Sequence, residues 1–243
     1  MKDTGTPTYQ TRLETVSIQN VGSLTLNMLK DRRQYSDPDG ITGRLGISPA
    51  LWPLSGLLWP SSFYLATALA QRPVNPHERI LELGCGLALP SLISHRRGAD
   101  ITASDHHPLA LHFLEDNLAR NQLSPELPFR YGHWGEQDGP VRPDTLPDFL
   151  RDRVLRKRYH LIIGSDLLYE RCSASHLAAF IHRHAHTNAQ AWIVDANRGH
   201  AGRFKRHMAS HGFEVKAVEH LNRRPCLSGA AGYKGRLLKF RRH

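Results

Sequence analysis

Residues 79–86 of the chain read RILELGCG, a short apolar run that ends in two closely spaced glycines. A run of this length before a turn is typical of a buried strand, so we expect a strand over residues 79–83 and then a helix through Ile93. Glycines at such a turn let the backbone approach a ligand closely, at the carboxyl end of a sheet where open α/β folds form their crevices. The stretch therefore predicts a ligand site, with a plain strand-to-helix turn as the alternative.

The chain on either side of this stretch alternates strands and helices. Further strands are predicted at residues 100–104, 129–131, 159–164, 191–194, 214–218 and 236–240. Further helices are predicted at residues 59–69, 108–121 and 201–210. Strands that alternate with helices indicate a parallel sheet covered on both faces. The predicted fold class is α/β: a doubly wound, Rossmann-like, seven-stranded and mostly parallel sheet with a C-terminal antiparallel hairpin.

The first part of the chain lies outside this alternation. Two alternating stretches, residues 13–18 and 24–29, are bounded by turn residues and predict a small hairpin. We therefore divide the chain into a short N-terminal extension, residues 1–45, and one domain over residues 46–243. Within that domain, residues 136–158 are rich in Pro and charge and predict a surface insertion with a short helix.

Length, termini and cysteines narrow the class of protein. A chain of 243 residues is long enough to bury one sizeable core. No apolar run is long enough to span a bilayer, and the polar start lacks the layout of a secretory signal. The three cysteines are odd in number and show no paired metal-ligand spacing, which indicates neither a disulfide framework nor a zinc site. We expect a cytoplasmic protein that does not associate with membranes.

Sixteen histidines raise the question of a metal site, above all the HRHAH stretch with His182, His184 and His186. On a continuous helix the first and last of these would share one face. A zincin pattern, however, needs Glu directly after the first histidine, and position 183 is Arg. We expect solvated histidines and no metal ligands.

The net charge of +10 is unevenly distributed along the chain. Residues 151–243 carry 19 Lys and Arg against 6 Asp and Glu. A clustered positive field attracts acidic protein surfaces or nucleic acid. The alternative is a bias of composition, since 25 of the 32 basic residues are Arg. The charge therefore indicates which partners the protein could bind, and it does not indicate the oligomeric state.

The spacing around the glycines also bears on the ligand. A dinucleotide-binding fingerprint would have glycine at position 89, but this residue is Leu. In that fingerprint the acidic residue follows the glycines, whereas here Glu82 precedes them. Asp105 ends the second strand of the alternation, where a carboxylate can accept hydrogen bonds from both hydroxyls of a ribose. Its alternative role is a helix cap before Pro108. Together, Glu82 and Asp105 favour a nucleoside ligand that is not a nicotinamide dinucleotide.

Four stretches together resemble a known family: LELGCG (81–86), TASD (102–105), GHWG (132–135) and IIGSDLLYE (162–170). They look like a class I methyltransferase, and more narrowly like the branch of seven-strand protein-lysine methyltransferases. That branch is marked by an acidic residue, two variable positions and an aromatic after the fourth strand, which is DLLY here. The resemblance covers residues 50–215 and implies S-adenosylmethionine as the cofactor and a protein lysine as the methyl acceptor.

The resemblance also implies roles for individual residues of the glycine loop. Gly84 and Gly86 would lie beside the methionine part of the cofactor, Glu82 would support their loop, and Asp105 would bind the ribose. The third glycine that is usual in the family is Ala88 here, which is a departure from the pattern.

Three further residues are assigned to the cofactor on the same grounds. Trp134 would sit near the adenine, Trp59 near the cofactor mouth, and Ser165 beside the cofactor ahead of the acidic motif. Both tryptophans have an alternative role as core or rim aromatics, because large aromatics are commonly mostly buried.

Asp166 and Tyr169 are the predicted catalytic residues on the acceptor side. Methyl transfer from a sulfonium is an in-line displacement, so the enzyme must hold the acceptor nitrogen in line with the methyl group. A carboxylate and a tyrosine hydroxyl at the strand end can orient a lysine amine while a closed site excludes water. The carboxylate alone would favour the charged lysine, so proton loss must come from burial and the neighbouring cofactor cation. The alternative is a capping Asp with a buried Tyr.

Two other functions compete with protein-lysine methylation. Amino-methyltransferases of nucleic acids usually have two prolines in this motif, where the chain has Leu167 and Leu168, and the acceptor would then be a flipped base or a small molecule. The second alternative is a cofactor-binding protein without catalysis, held to an acidic partner through residues 151–243. A protein substrate is the first choice of partner and nucleic acid the second.

Overall fold

The computed structural model describes residues 9–135, 143–169, 173–221 and 233–243. A two-stranded antiparallel sheet comes first, formed by β1 (Thr11–Ile18) and β2 (Gly22–Leu29). The seven strands of the main sheet are β3 (Arg79–Leu83), β4 (Asp100–Asp105), β5 (Phe129–Tyr131), β6 (Tyr159–Ser165), β7 (Ala185–Asp195), β8 (Phe213–Leu221) and β9 (Gly235–Arg242).

The helices lie between these strands. The α-helices are α1 (Ile41–Arg44), α2 (Pro60–Gln71), α3 (Leu89–Arg96), α4 (Pro108–Arg120), α5 (Asp148–Arg151), α6 (Ser173–His184) and α7 (Ala201–Ser210). Short 3-10 turns occupy Trp52–Gly56 and Pro143–Thr145. The sequence pattern did not predict α6, which directly precedes β7 and completes the alternation of strands and helices.

The main sheet has the order β5-β4-β3-β6-β7-β9-β8. The strands β3 to β7 pair in parallel, and β9 pairs antiparallel to both β7 and β8. The predicted fold class, a doubly wound and mostly parallel seven-stranded sheet that ends in an antiparallel strand pair, is confirmed. Because β3, β4, β6 and β7 run the same way, the residues that follow them meet at one edge of the sheet, where ligands bind in such folds.

Side chains on the central strands alternate between two apolar layers. Leu81 and Ile162 belong to the layer formed with α6 and α7, whereas Ile80 and Leu161 belong to the layer formed with α2. All four are buried, so the strands read as continuous apolar runs, as expected for a parallel sheet covered on both faces. Each fully buried side chain of this kind contributes about 1.5–3 kcal/mol through removal of apolar surface from water.

The predicted N-terminal hairpin is present as β1 and β2, and it is attached to α4 through two asparagines. The Asn117 side chain accepts from the backbone N–H of Asn27 at 2.6 Å and donates to its carbonyl at 3.2 Å. Asn121, one helical turn further on, bonds both backbone groups of Thr25 at 2.8 Å. Two amide side chains therefore satisfy the outer edge of β2 as a neighbouring strand would.

Part of the predicted surface insertion lies outside the described residues, at positions 136–142. The described part contains the expected short helix, α5, with Leu150 fully buried. The chain then returns to the sheet, because Tyr131 at the end of β5 accepts from and donates to the backbone of Leu155 and Arg153. The division of the chain at residues 45 and 46 stays a prediction.

The expectation of solvated histidines in the HRHAH stretch is wrong for His184. Helix α6 ends at His184 and β7 begins at the next residue, so His182 and His186 do not share a helical face. His184 is buried, and its ring nitrogen contacts the Lys157 carbonyl at 3.0 Å. In the ranges that the structure describes, no group of three or more His, Cys, Asp and Glu side chains is arranged to hold a metal ion.

The length and apolar character of the helices bear on whether one could span a bilayer. None of the helices in these ranges is long and apolar enough to cross a membrane. The cytoplasmic location stays a prediction.

Candidate active site

The loop between β3 and α3 has three residues in the left-handed backbone region. The φ angles are +57° at Gly84, +51° at Gly86 and +57° at Ala88. Glycine adopts this region freely, whereas an alanine there costs about 1–2 kcal/mol. The third glycine of the resemblance is thus replaced by a residue that keeps the glycine conformation, and the Ala88 methyl group is fully buried in return.

Neighbouring atoms also leave no space for a side chain at Gly84 or Gly86. A Cβ on Gly84 would lie 2.6 Å from Cδ2 of Leu167 and 3.3 Å from the Trp134 ring. A Cβ on Gly86 would lie 3.1 Å from the carbonyl oxygen of Ser55. The loop therefore forms a narrow cradle between the turn Trp52–Gly56 and the residues that follow β6, where only bare backbone fits.

Asp105 at the end of β4 is tied to this cradle. One carboxylate oxygen accepts from the Gly86 backbone N–H at 2.9 Å and the other from the His107 backbone N–H at 2.9 Å. Burial by itself would raise the pKa of Asp105, but the His106 ring and these two N–H groups hold it below its ordinary value. Asp105 is not the helix cap, because the His107 ring nitrogen accepts from Leu109 N–H and caps α4.

Glu82 supports the loop from within the sheet. Its side chain is buried, and one carboxylate oxygen accepts from both the backbone N–H of Ser91, at 2.9 Å, and the Ser91 hydroxyl. This bond connects β3 to the first turn of α3 across the glycine loop. Burial, with a smaller contribution from the nearby Asp105, raises the pKa of Glu82 to about 8.

The two tryptophans flank the cradle on opposite sides. Trp59 directly precedes α2, is half-buried, and donates its indole N–H to the Leu54 carbonyl at 2.9 Å. Trp134 is half-buried between Gly84 and Phe180, with the two ring centres of Trp134 and Phe180 5.7 Å apart. Both tryptophans are therefore only partly buried, and their roles beside the cofactor stay predictions.

Ser165 and Asp166 follow at the end of β6. Ser165 is half-buried and pairs with Val194 on β7, and the next residue donates its backbone N–H to the carbonyl of the same valine at 2.9 Å. Asp166 has a φ of +57°, a conformation that Asp tolerates better than most residues. This turn directs the chain away from the sheet at its carboxyl-terminal edge.

The Asp166 carboxylate has a partner that the sequence analysis missed. Arg198, in the loop after β7, donates to both carboxylate oxygens, from Nε at 3.1 Å and from a terminal nitrogen at 2.9 Å. The Asp166 side chain is 12% exposed and the Arg198 side chain 45% exposed. The hydrogen bonds to this carboxylate raise the pKa of Arg198. The capping role considered for Asp166 does not hold, since its carboxylate is engaged by this arginine.

The remaining residues of the DLLY motif separate into two kinds. Leu167 and Leu168 are buried, and the Leu167 side chain fills the space beside Gly84 and Gly164. Tyr169 is 40% exposed, so the alternative of a buried tyrosine is wrong. The motif thus packs its leucines into the fold, Leu167 against the glycine cradle, and leaves its tyrosine exposed.

A second missed residue is Tyr233, which precedes β9. Its hydroxyl lies 2.8 Å from the Ser61 hydroxyl at the start of α2, and its ring stacks on Tyr64 with the centres 4.8 Å apart. Burial, together with the negative charges of Asp166 and Asp195, raises the pKa of Tyr233 to about 12. The protonated phenol therefore forms part of the wall between α2 and the end of β6.

The missed residues differ in whether a sequence signal existed. Arg198 follows the end of β7, and residues after the strands of a parallel sheet meet at the edge where ligands bind, so its position was a usable signal. Nothing local distinguishes Tyr233, because its partners are far away in the sequence. The structure brings together Glu82, Gly84, Gly86 and Asp105 as the sequence predicted.

Part of the chain is similar in sequence to known methyltransferases. Over 98 residues the chain is 31% identical to the ribosomal protein L11 methyltransferase of Thermosipho africanus, covering 38% of this chain and 37% of that protein. Over 116 residues it is 30% identical to the histone-arginine methyltransferase METTL23 of Rattus norvegicus, covering 46% of each. The matched part of the chain thus spans less than half the length of these curated relatives.

Solved structures share the fold at low sequence identity. A 16S rRNA methyltransferase of T. thermophilus, solved with AdoMet and guanosine, superposes with a TM-score of 0.58 at 14% identity, over 100% of this chain and 53% of that one. A TehB-like SAM-dependent methyltransferase of Corynebacterium glutamicum superposes with a TM-score of 0.52 at 16% identity, over 78% and 91%. The fold is that of class I, S-adenosylmethionine-dependent methyltransferases.

Within that class the family is also shown. The model of the family described as "Lysine methyltransferase" matches residues 42–210, more than half of the chain. The chain therefore belongs to this family, and its cofactor is S-adenosylmethionine.

Proposed function

We propose that the protein transfers the methyl group of S-adenosylmethionine to the side-chain amine of a lysine in a protein substrate. The observation that carries the proposal is the attachment of the DLLY motif to the glycine cradle. Leu167 packs against Gly84, so we expect Asp166, directly before it, and Tyr169, two residues after it, to lie near the rim of the same crevice. An acceptor held by Asp166 and Tyr169 would therefore meet the cofactor at the cradle.

The cradle residues fit the cofactor. The left-handed turn at Gly84 and Gly86 has no side chains on its backbone, which therefore can approach the methionine part closely. Each oxygen of the Asp105 carboxylate already accepts a backbone N–H, but a carboxylate offers about four acceptor positions, so positions remain for the two ribose hydroxyls. The lowered pKa of Asp105 keeps it ionised and therefore able to accept only, which is what a pair of hydroxyl donors needs.

When it is bound, S-adenosylmethionine supplies a methyl group on a positively charged sulfur. The lone pair of an amine can attack this methyl group in line with the bond to sulfur. The task of the chain is then to orient the amine and remove its proton. Asp166 alone would stabilise the charged ammonium, but Arg198 sits on both of its oxygens and offsets its negative charge. A positive guanidinium beside the acceptor also lowers the pKa of a lysine, which favours the neutral, nucleophilic amine.

Two observations favour a protein over a nucleic-acid base. The names of both curated relatives describe methylation of proteins, a ribosomal protein and a histone. Leu167 and Leu168 are buried anchors of the motif, not the proline pair that would fix backbone carbonyls for a flipped base. We therefore rank a lysine acceptor first and a base or small molecule second.

The experiment that tests the proposal is transfer of radiolabelled methyl from S-adenosylmethionine into a cell lysate, followed by amino-acid analysis of the labelled band. We expect trypsin-sensitive label recovered as methyl-lysine, lost with Asp166→Asn and with Asp105→Ala. The matched control is Asp100→Asn, since this exposed carboxylate lies at the other end of β4. Label found only in nuclease-sensitive or small-molecule fractions would refute the lysine acceptor, and label in methyl-arginine would replace it.

A further inference from the structure

The edge of the main sheet opposite the glycine cradle carries a dense group of basic side chains. They come from the starts of β3, β6 and β7, the ends of α6 and α7, and the end of β9. We name this group the amino-edge cluster; its members are Arg79, Arg158, His160, His182, His184, His186, His207, His211 and Arg242.

Two stacked histidine pairs organise the cluster. The rings of His160 and His186 lie 4.4 Å apart, and Arg79 contacts His186 Nε2 at 2.8 Å through a terminal nitrogen. The rings of His182 and His211 lie 4.7 Å apart. Because each pair joins residues from different elements, the positions of these imidazoles are set by the fold and not by a flexible tail.

Carboxylates are scarce around this cluster. Those found near its elements are Glu78 just before β3, the exposed Asp100 at the start of β4 and Glu214 on β8. Glu78 is buried and paired with Arg72, and Glu214 is paired with Lys216 at 2.8 Å. Next to the cluster, Arg156, Lys157 and Arg158 are exposed, and no carboxylate of the described ranges lies within 4.0 Å of their side-chain nitrogens. Like charges held close together raise the free energy of the folded protein, and a polyanion relieves this cost.

We propose that the amino-edge cluster, with the exposed basic segment 156–158, binds the phosphate backbone of a nucleic acid. A guanidinium group can donate two parallel hydrogen bonds to the oxygens of one phosphate, and protonated imidazole rings add further hydrogen-bond donors. An acidic protein partner fits less well, because protein interfaces are centred on apolar or aromatic anchors. None of the large apolar side chains that are exposed in the described ranges belongs to the cluster; they are Leu13, Tyr35, Phe149, Tyr169, Val215 and Val218.

The position of the cluster separates this site from the active site. The two edges of the sheet are joined by strands of five to seven residues, such as β3 and β6, and at about 3.3 Å per residue the edges lie roughly 16–23 Å apart. A bound nucleic acid would therefore leave the glycine cradle accessible. This inference does not depend on the proposed lysine acceptor, and either can fail alone.

Protonation of the histidines should strengthen the binding. Burial lowers the pKa of His182, His186 and His211, and the neighbouring cations Arg79, Arg158 and Arg242 lower it further. His160, His207 and the buried His184 face them from β6, α7 and the end of α6, and the acidic groups beside Arg79 are Asp100 on β4 and Glu78, which is paired with Arg72. A bound phosphate would raise these pKa values, so nucleic-acid binding should take up protons and tighten as the pH falls.

The test is fluorescence anisotropy with a labelled single-stranded RNA of about 20 nucleotides, with DNA of the same sequence and a poly-glutamate peptide in parallel. We expect both nucleic acids to bind, more tightly near pH 6 than near pH 8, and more weakly at high salt. Saturating S-adenosylmethionine should leave the dissociation constant unchanged. Equal affinity for RNA and DNA would show that the phosphates are recognised. A higher affinity for one of them would show that a sugar or base is contacted as well.

Matched variants locate the surface. Arg158→Glu should weaken RNA binding roughly tenfold, because reversing one charge beside a phosphate costs about that much. Arg32→Glu, which reverses an equally exposed charge after β2, should change it less than about twofold. The double substitution His160→Gln and His186→Gln should flatten the pH dependence. Equal losses in both arginine variants, tighter binding of poly-glutamate than of RNA, or no RNA binding at about 50 mM salt would each overturn the inference.

Discussion

Replacement of Glu82 by glutamine should change how the stability of the protein depends on pH. In the fold this carboxyl group is buried and bonded to Ser91, and its pKa is raised from 4.5 to about 8. A glutamine side chain is nearly isosteric with the protonated carboxyl group and keeps an oxygen that accepts from Ser91, but it cannot ionise. The variant therefore removes one titration from the folded state and little else.

The sign and size of the effect follow from these pKa values. The folded protein binds the Glu82 proton more tightly than the unfolded chain does, so its contribution to stability is fully present below pH 4.5 and is lost as the pH rises through about 8. The two pKa values differ by about 3.5 units, and each unit corresponds to about 1.4 kcal/mol. Relative to the Glu82→Gln variant, the protein should lose up to about 5 kcal/mol of unfolding free energy across this window.

Urea unfolding followed by circular dichroism, from about pH 5 to about pH 9, measures the difference. We expect the variant to become the more stable of the two as the pH increases, with a slope of the difference near 1.4 kcal/mol per pH unit. The control is Glu126→Gln, which removes a carboxylate that is exposed in the fold. Parallel stability curves for the protein and the Glu82→Gln variant would show that the carboxyl group titrates normally and would refute the reasoning.

Three further substitutions test other contacts. Arg198→Gln should move the pH profile of kcat/KM to higher pH by about one unit, since a lysine amine then loses its proton less readily; an unchanged profile in steady-state assays would contradict this. Gly86→Ala combines an unfavourable left-handed φ with a contact to the Ser55 carbonyl, and calorimetric titration should show S-adenosylmethionine binding weakened tenfold or more, about 1.4 kcal/mol. Asn117→Ala leaves both backbone groups of Asn27 unpaired and should cost about 1–3 kcal/mol in urea unfolding; a smaller loss would mean that water replaces the side chain.

The sequence alone was sufficient for the fold class, and it predicted which residues surround the glycine loop. Apolar periodicity and turn residues are local properties, and they identified all seven strands of the sheet from strand-length runs. The glycine loop carries its own signal, because the left-handed conformations at Gly84 and Gly86 require that residue type. Asp105 was identifiable because it ends the next strand, and parallel strands bring their carboxyl ends to one edge.

The local pattern failed where tertiary context decided the outcome. Helix α6 and the start of β7 share the HRHAH stretch, and a break between helix and strand at Ala185 has no glycine or proline to mark it. His184 is buried at the end of α6, and its ring nitrogen contacts the carbonyl of Lys157 at 3.0 Å, a partner 27 residues away that no spacing in the sequence reveals.

What the sequence by itself determined is thus the sheet, the glycine cradle and the acidic motif after β6. Only the tertiary structure decided which charges meet there and at the opposite edge. Arg198 reaches Asp166 across 32 residues, and Tyr233 reaches Ser61 across 172. The physical reason is that strand order and helix packing, not local propensity, bring such side chains within hydrogen-bond distance.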